Sequence, residues 1–168
     1  WQTAWDVEQV TKEFFREYRA VFEQVEGMVG GVPEGDARRL FTQTLFNRLL
    51  FCWFLQKKGW LNHRPRYLSE LLEAAQDEAR KPGSRRAKRH NFHDDFLYPL
   101  FFWAMNTPSD QRLGDAAALK LEERLGRVPF LNGGLFEQQT EYDFPGKVAI
   151  PNDAFWLIFS LFERYNFT

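Results

Sequence analysis

The segment that most restricts the fold is Leu49-Leu50-Phe51-Cys52-Trp53-Phe54-Leu55. It lies in a run with Phe41, Leu45, Leu49 and Trp53 on one stripe and Phe46, Leu50 and Phe54 on the next, which is helical spacing. A helix that is apolar on every side has to be surrounded by other elements. A central buried helix over about 36–58 is therefore expected, with further helices covering it. Asp36 is expected to cap its first turn. Lys57 and Lys58 suit the negative end of the helix dipole, and Gly59 can take the left-handed conformation that closes it.

The cover is legible on both sides of that helix. Val7, Val10, Phe14, Tyr18, Val21, Phe22 and Val25 recur at three- and four-residue steps and predict a first helix, ended by Gly27, Gly30, Gly31 and Pro33. A third helix is predicted from about Tyr67 to Arg80, with Leu68, Leu71, Leu72 and Ala75 as its buried stripe. A fourth spans about Asn91 to Met105, where Pro99 should kink it or mark its true start. Asp115 to Leu125 predicts a short helix. A last one begins near Pro151 and carries Phe155, Ile158, Phe159 and Phe162. Between 126 and 150 the helical pattern stops. Asn132, Gly133, Gly134, Pro145 and Gly146 supply turn chemistry, so an irregular glycine-containing loop or a small hairpin is expected there. The fold class is all-α.

The 168 residues suffice for one domain with a real core, and 44% apolar content with 17% aromatics supplies it. The formal net charge of -1 gives no global pull toward nucleic acid or membrane, so any such contact needs a local patch. The lone Cys52 excludes an internal disulfide framework and suits a reducing cytoplasm. No apolar stretch is long enough to predict a membrane span. The chain starts at Trp1 and stops just after a strong apolar helix pattern. Residues 1–168 are accordingly expected to be a single helical domain cut from a larger multidomain protein.

The usual catalytic signatures are missing. A restriction-type nuclease needs an acid two residues before a lysine, to hold Mg²⁺ and polarise the phosphate. None of Lys12, Lys57, Lys58, Lys81, Lys88, Lys120 and Lys147 has one. No Asn/Asp-Pro-Pro-aromatic loop, Gly-rich cofactor turn after a strand, or Walker loop is present. A single cysteine rules out a multi-cysteine zinc site. His90 and His93 beside Asp94 and Asp95 could form a metal or acid-base cluster. The simpler reading is a helix N-terminus, with Asn91 as cap and the two acids on the dipole. His63, with Asn62, reads as a solvated polar turn. Val128 to Glu137 reads as a turn whose Phe130, Leu131, Leu135 and Phe136 are pinned into the core. A phosphate-binding glycine loop is the sharper reading there, but the segment lacks the following lysine.

The most basic stretch holds Arg80, Lys81, Arg85, Arg86, Lys88 and Arg89, and Pro82, Gly83 and Ser84 keep it out of regular helix. These six are the candidate contacts to DNA phosphates, where each neutralised charge adds salt-dependent affinity. The alternative is a solvated loop. Aromatic residues are not interleaved here, so base stacking on this loop is not expected.

Several strings, taken together, resemble one family. Phe46-Asn47-Arg48-Leu49-Leu50-Phe51, followed by Phe54-Leu55-Gln56-Lys57-Lys58-Gly59-Trp60-Leu61, resembles a run in large type IIG-like restriction-modification proteins. Those fuse a nuclease to an N6-adenine DNA methyltransferase, and phage-defence methylases of the BREX kind share similar runs. Pro129 to Glu137 is similar to a second block, Arg164-Tyr165-Asn166-Phe167-Thr168 to a third, and Asp6 to Phe14 to the start of the region. The resemblance implies a helical connector before the methyltransferase core, facing double-stranded DNA and the adjacent domains of the same polypeptide. It implies S-adenosylmethionine, and in nuclease fusions Mg²⁺, for the parent protein. No catalytic or cofactor residue of the family matches a position here. The competing readings are a pure protein-protein scaffold and a small enzyme built on His90, His93, Asp94 and Asp95.

Overall fold

The computed structural model describes residues 2–81, 91–112, 116–131 and 133–165. Among these residues six helical segments follow one another: α1 (Gln2–Met28), α2 (Asp36–Lys57), α3 (Tyr67–Arg80), α4 over 92–104, α5 (Ala116–Leu125) and α6 (Asn152–Arg164). No strand occurs among the described residues, so the expected all-α class holds. The nearest approach to a sheet is one antiparallel bridge between Gly30 and Ala149.

α2 and α6 make the centre together. α6 packs against α1, α2 and α3, and α2 against α1, α3 and α6. Leu45, Phe46, Leu49, Cys52, Trp53 and Leu55 of α2 are buried, as are Phe155, Ile158, Phe159 and Phe162 of α6. The Trp53 ring lies 5.7 Å from Phe159 and 5.6 Å from Phe162, aromatic contacts that add to the area they bury. One stripe of α2 stays open, however: Phe51 and Phe54 are 40% and 39% exposed. The helix is apolar all round in sequence but covered on only part of its circumference.

The ends of α2 show what the local sequence controls. Asp36 does not cap it. Gly35, at φ 100, is the cap residue, and Asp36 is the first helical residue with no side-chain capping bond. Its carboxylate still sits at the positive end of the dipole. At the other end Gly59 takes φ 79. Its N–H donates to Gln56 O (3.0 Å) and the Trp60 N–H to Leu55 O (3.0 Å), the paired closure that a left-handed glycine permits.

The expected stripe of α1 is buried only from Val21 onward, and Val7 and Val10 are 65% and 53% exposed. The reason is length. α1 has 27 residues against 13 in α6, and the end of α6 meets α1 at Phe14 through Tyr165, 5.0 Å away. The turns before Phe14 outrun that cover.

α4 absorbs Pro99 by widening. His93–Leu97 and Leu100–Ala104 are π-helical turns on either side of it. Proline has no N–H and crowds the carbonyl four residues back, so a tight α-turn is unavailable. That carbonyl belongs to Asp95, and the Arg124 guanidinium of α5 donates to it (3.2 Å).

The 126–150 segment is irregular rather than a hairpin, with short 3-10 turns at Gly134–Phe136 and Glu141–Asp143. Phe136 is buried, and Leu131 and Leu135 pack against the core. Phe130 is not pinned, being 40% exposed. No helix among the described residues is long and apolar enough to cross a membrane.

Candidate functional site

Two buried arginines organise the molecule around the 126–150 segment. Arg48, from the middle of α2, donates Nη1 to Asp143 Oδ1 (3.0 Å), Nε to Leu135 O (2.7 Å) and Nη2 to Glu137 O (3.1 Å). Its guanidinium also lies 4.9 Å from the Phe102 ring centroid of α4. Asp143 in turn accepts from the backbone N–H groups of Gln139 (2.8 Å) and Thr140 (3.3 Å). Burial alone raises the Asp143 pKa, but the Arg48 bonds and the two N–H groups outweigh it and hold the carboxyl below its ordinary value. The segment is thus tied to the centre of α2 by charge rather than by a strand pairing.

Arg112 is the second. Its guanidinium donates to the carbonyls of Thr107 (2.8 Å), Val128 (3.1 Å) and Ala104. It therefore joins the end of α4 to the stretch that follows α5. Burial lowers its pKa, and the nearby Glu122 carboxylate offsets part of that shift.

Beside Arg112 opens a groove of about 780 Å³, lined among others by Trp60, His63, Trp103, Arg127 and Glu122. The turn after α2 forms one wall. Asn62 and His63 there take φ 52 and 56, a left-handed pair that is uncommon without glycine. Asn62 holds the pair in place: its N–H donates to Arg127 O (2.7 Å), and its Oδ1 accepts from Arg127 N (3.1 Å). Gly126, at φ +69, packs so closely on the Asn62 side chain that a Cβ would clash with it. His63 is exposed, as a solvated turn requires, but it belongs to this rim.

Of the six cations expected to touch DNA, Arg80 and Lys81 lie at the C-terminal end of α3, where positive charge complements the helix dipole. Arg85, Arg86, Lys88 and Arg89 lie outside the described residues, as does His90. Around the other cluster, Asn91 Oδ1 accepts from the Asp94 N–H (2.8 Å) and Asn91 Nδ2 donates to Asp94 Oδ2 (3.1 Å). The first bond caps the opening turn of α4, and the second ties the two side chains together. His93 Nδ1 lies 3.0 Å from Asp94 Oδ1, and this bond is the main cause holding the Asp94 carboxyl below its ordinary pKa. Among the described residues, no group of three or more His, Cys, Asp or Glu side chains is arranged to hold a metal ion. Burial drives the Cys52 thiol far above its usual pKa, and its Sγ lies against Met105 Sδ (3.8 Å), so it is an inert core group.

Sequence reasoning missed Arg48, Asp143, Arg112 and the groove. One signal was available for the first: a charge on the apolar face between Phe46 and Leu49 has to be paired when buried. Nothing local marked Asp143 as its partner.

The chain is 30% identical over 131 residues to a Methanocaldococcus jannaschii protein that bears the name of a putative type II restriction enzyme and methyltransferase. The match covers 78% of this chain and 10% of that protein, so the chain corresponds to a small part of its relative. The aligned similarity relates the chain to restriction-modification proteins. No family model matches the sequence. No solved structure matches it either.

Proposed function

We propose that the chain is a helical connector of a restriction-modification DNA methyltransferase, facing duplex DNA and positioning the methyltransferase and any nuclease module. The observation that carries this reading is the similarity to a restriction enzyme and methyltransferase over most of this chain but a tenth of that protein. The architecture suits the role. Arg48 and Arg112 fasten irregular backbone to helices at several points each, which makes a stiff spacer. The type IIG-like or BREX-like subtype, a part in phage defence, an N6-adenine target and a cytoplasmic location belong to this proposal. S-adenosylmethionine and Mg²⁺ would act in other parts of the parent.

The test is equilibrium binding of the chain to duplex DNA across a salt series. Binding is expected at low salt. Replacing Arg80, Lys81, Arg85, Arg86, Lys88 and Arg89 by Ala should lower the salt slope by about one for each phosphate that those side chains neutralise. No duplex binding at low salt, or a slope unchanged by the six replacements, removes the DNA-facing part.

A second reading, a scaffold that touches only protein, has one observation in its favour. Leu40, Phe51 and Phe54 leave an open apolar stripe on α2, with exposures of 59%, 40% and 39%. Failure to bind DNA, together with co-purification of the chain with the flanking segments of its own gene product, would select it.

A further inference from the structure

The groove beside Arg112 has a composition that the connector role does not explain. Trp60 comes from the turn after α2 and Trp103 from the second wide turn of α4, and both line it. Trp60 is 60% exposed, a large flat apolar surface left in water. The Arg127 guanidinium makes no hydrogen bond or ion pair among the described residues, although its backbone is held on both sides by Asn62. Arg112, only 8% exposed, spends its donors on three neutral carbonyls. Glu122 is the carboxylate on this side of the groove. Glu122 offsets the buried charge of Arg112, so the exposed Arg127 guanidinium is the cation on this rim with donors left for an anion. The Arg112 guanidinium lies 6.0 Å from the Trp103 ring centroid, so Trp60 is the indole left open for a planar ring.

The site is also preformed. The left-handed Asn62 and His63 are locked onto 126–127, and strained backbone of this kind persists where the surroundings over-determine it. A volume of about 780 Å³ lies within the range of small-ligand sites.

We propose that this groove binds an unpaired nucleotide of a single DNA strand, with the base against Trp60 and the phosphate at Arg127. The inference rests on the DNA-facing reading and sharpens it, because a base paired inside a duplex cannot present its face to Trp60. Stacking on an aromatic side chain is tolerant of base identity, so the groove selects strandedness rather than sequence. Arg112 holds the groove together with its donors.

The experiment measures binding of the whole chain to a labelled short oligothymidylate, to an abasic strand of equal length, and to duplex DNA, with tryptophan quenching as a second readout. The oligothymidylate is expected to bind more tightly than the abasic strand and to quench fluorescence. Trp60→Ala should weaken that binding by about 5- to 150-fold, the range for loss of one stacked base. Trp60→Phe should retain most of it. Arg127→Gln should lower the salt slope by about 0.7, the value for one phosphate of a single strand, without removing the preference for the strand that carries bases. Trp60 is exposed, so an unchanged thermal unfolding curve for Trp60→Ala is expected and checks that the fold is intact. Equal affinity for abasic and base-bearing strands, or no effect of Trp60→Ala, overturns the proposal. Duplex binding that persists in that case leaves the connector reading standing. Absence of binding to every form of DNA overturns both.

Discussion

Arg48 and Asp143 meet at 3.0 Å across 95 residues of sequence, with side chains 4% and 5% exposed. Neither charge could be buried alone, since an isolated ion in a protein interior costs several kcal/mol. Each also satisfies backbone: Arg48 holds two carbonyls of the 126–150 segment, and Asp143 accepts from two N–H groups. The pair therefore substitutes for the regular secondary structure that this segment lacks.

Removing one partner should be severe. Arg48→Met and Asp143→Asn are each expected to destabilise the fold by about 3–5 kcal/mol, because each leaves a buried charge uncompensated. Urea unfolding of the single variants and the double variant gives the coupling. The double variant should cost less than the sum of the singles. Strict additivity would mean that the pair makes no interaction of its own.

The same pair predicts an acid limit. The folded Asp143 carboxyl has a depressed pKa, so its contribution to stability is present above about pH 4 and is lost as the pH falls through the folded value. Stability measured from about pH 7 down to about pH 2 should fall more steeply in the wild type than in Asp143→Asn. Parallel curves for the two would contradict the assignment.

Tyr67 lies at the start of α3, and its hydroxyl donates to Leu125 O at the end of α5 (2.6 Å) in a buried position. Burial and the neighbouring Cys52 raise its pKa, so it stays a donor throughout the ordinary range. Tyr67→Phe leaves that carbonyl without its donor and should cost about 1–3 kcal/mol. Thermal unfolding measures it, and a Tm equal to that of the wild type would show that the bond contributes nothing.

Two glycines flank the α1–α2 corner and should respond differently. Gly31, at φ +85, is pressed against the Lys147 carbonyl, and Gly35, at φ +100, faces open space. Gly31→Ala carries a positive-φ penalty of about 1–2 kcal/mol, and Gly35, at φ 100 and ψ -142, lies near the glycine-only region, where Ala costs about 1–3 kcal/mol from backbone strain alone. Gly31→Ala must also push back the 147–149 backbone, which is bonded to Gly30 through Ala149 (2.8 and 3.0 Å). Gly31→Ala should therefore be clearly the more damaging in denaturant unfolding. Equal losses would place the corner elsewhere.

The sequence by itself determined the helices. Periodicity placed α3 at Tyr67–Arg80 and α2 within a residue of its ends, since the pattern and Gly59 act through neighbours along the chain. Apolar content made a core certain, and turn residues marked 126–150 as irregular. What only the tertiary structure decided concerns the sides of those helices and the long-range partners. Phe51 looks as buried as Trp53 in sequence but is 40% exposed against 2%, because no described element packs over its whole stripe. Asp36 has the chemistry of a cap, yet Gly35 fills that place because the incoming chain arrives at a positive φ. Asp143 is one acid among many until the loop brings it to Arg48, and Trp60 and Trp103 share a groove although they stand far apart in the chain. Helical spacing is a local regularity carried by backbone hydrogen bonds. A buried ion pair or a groove depends on where distant segments finish, and no spacing in the sequence encodes that.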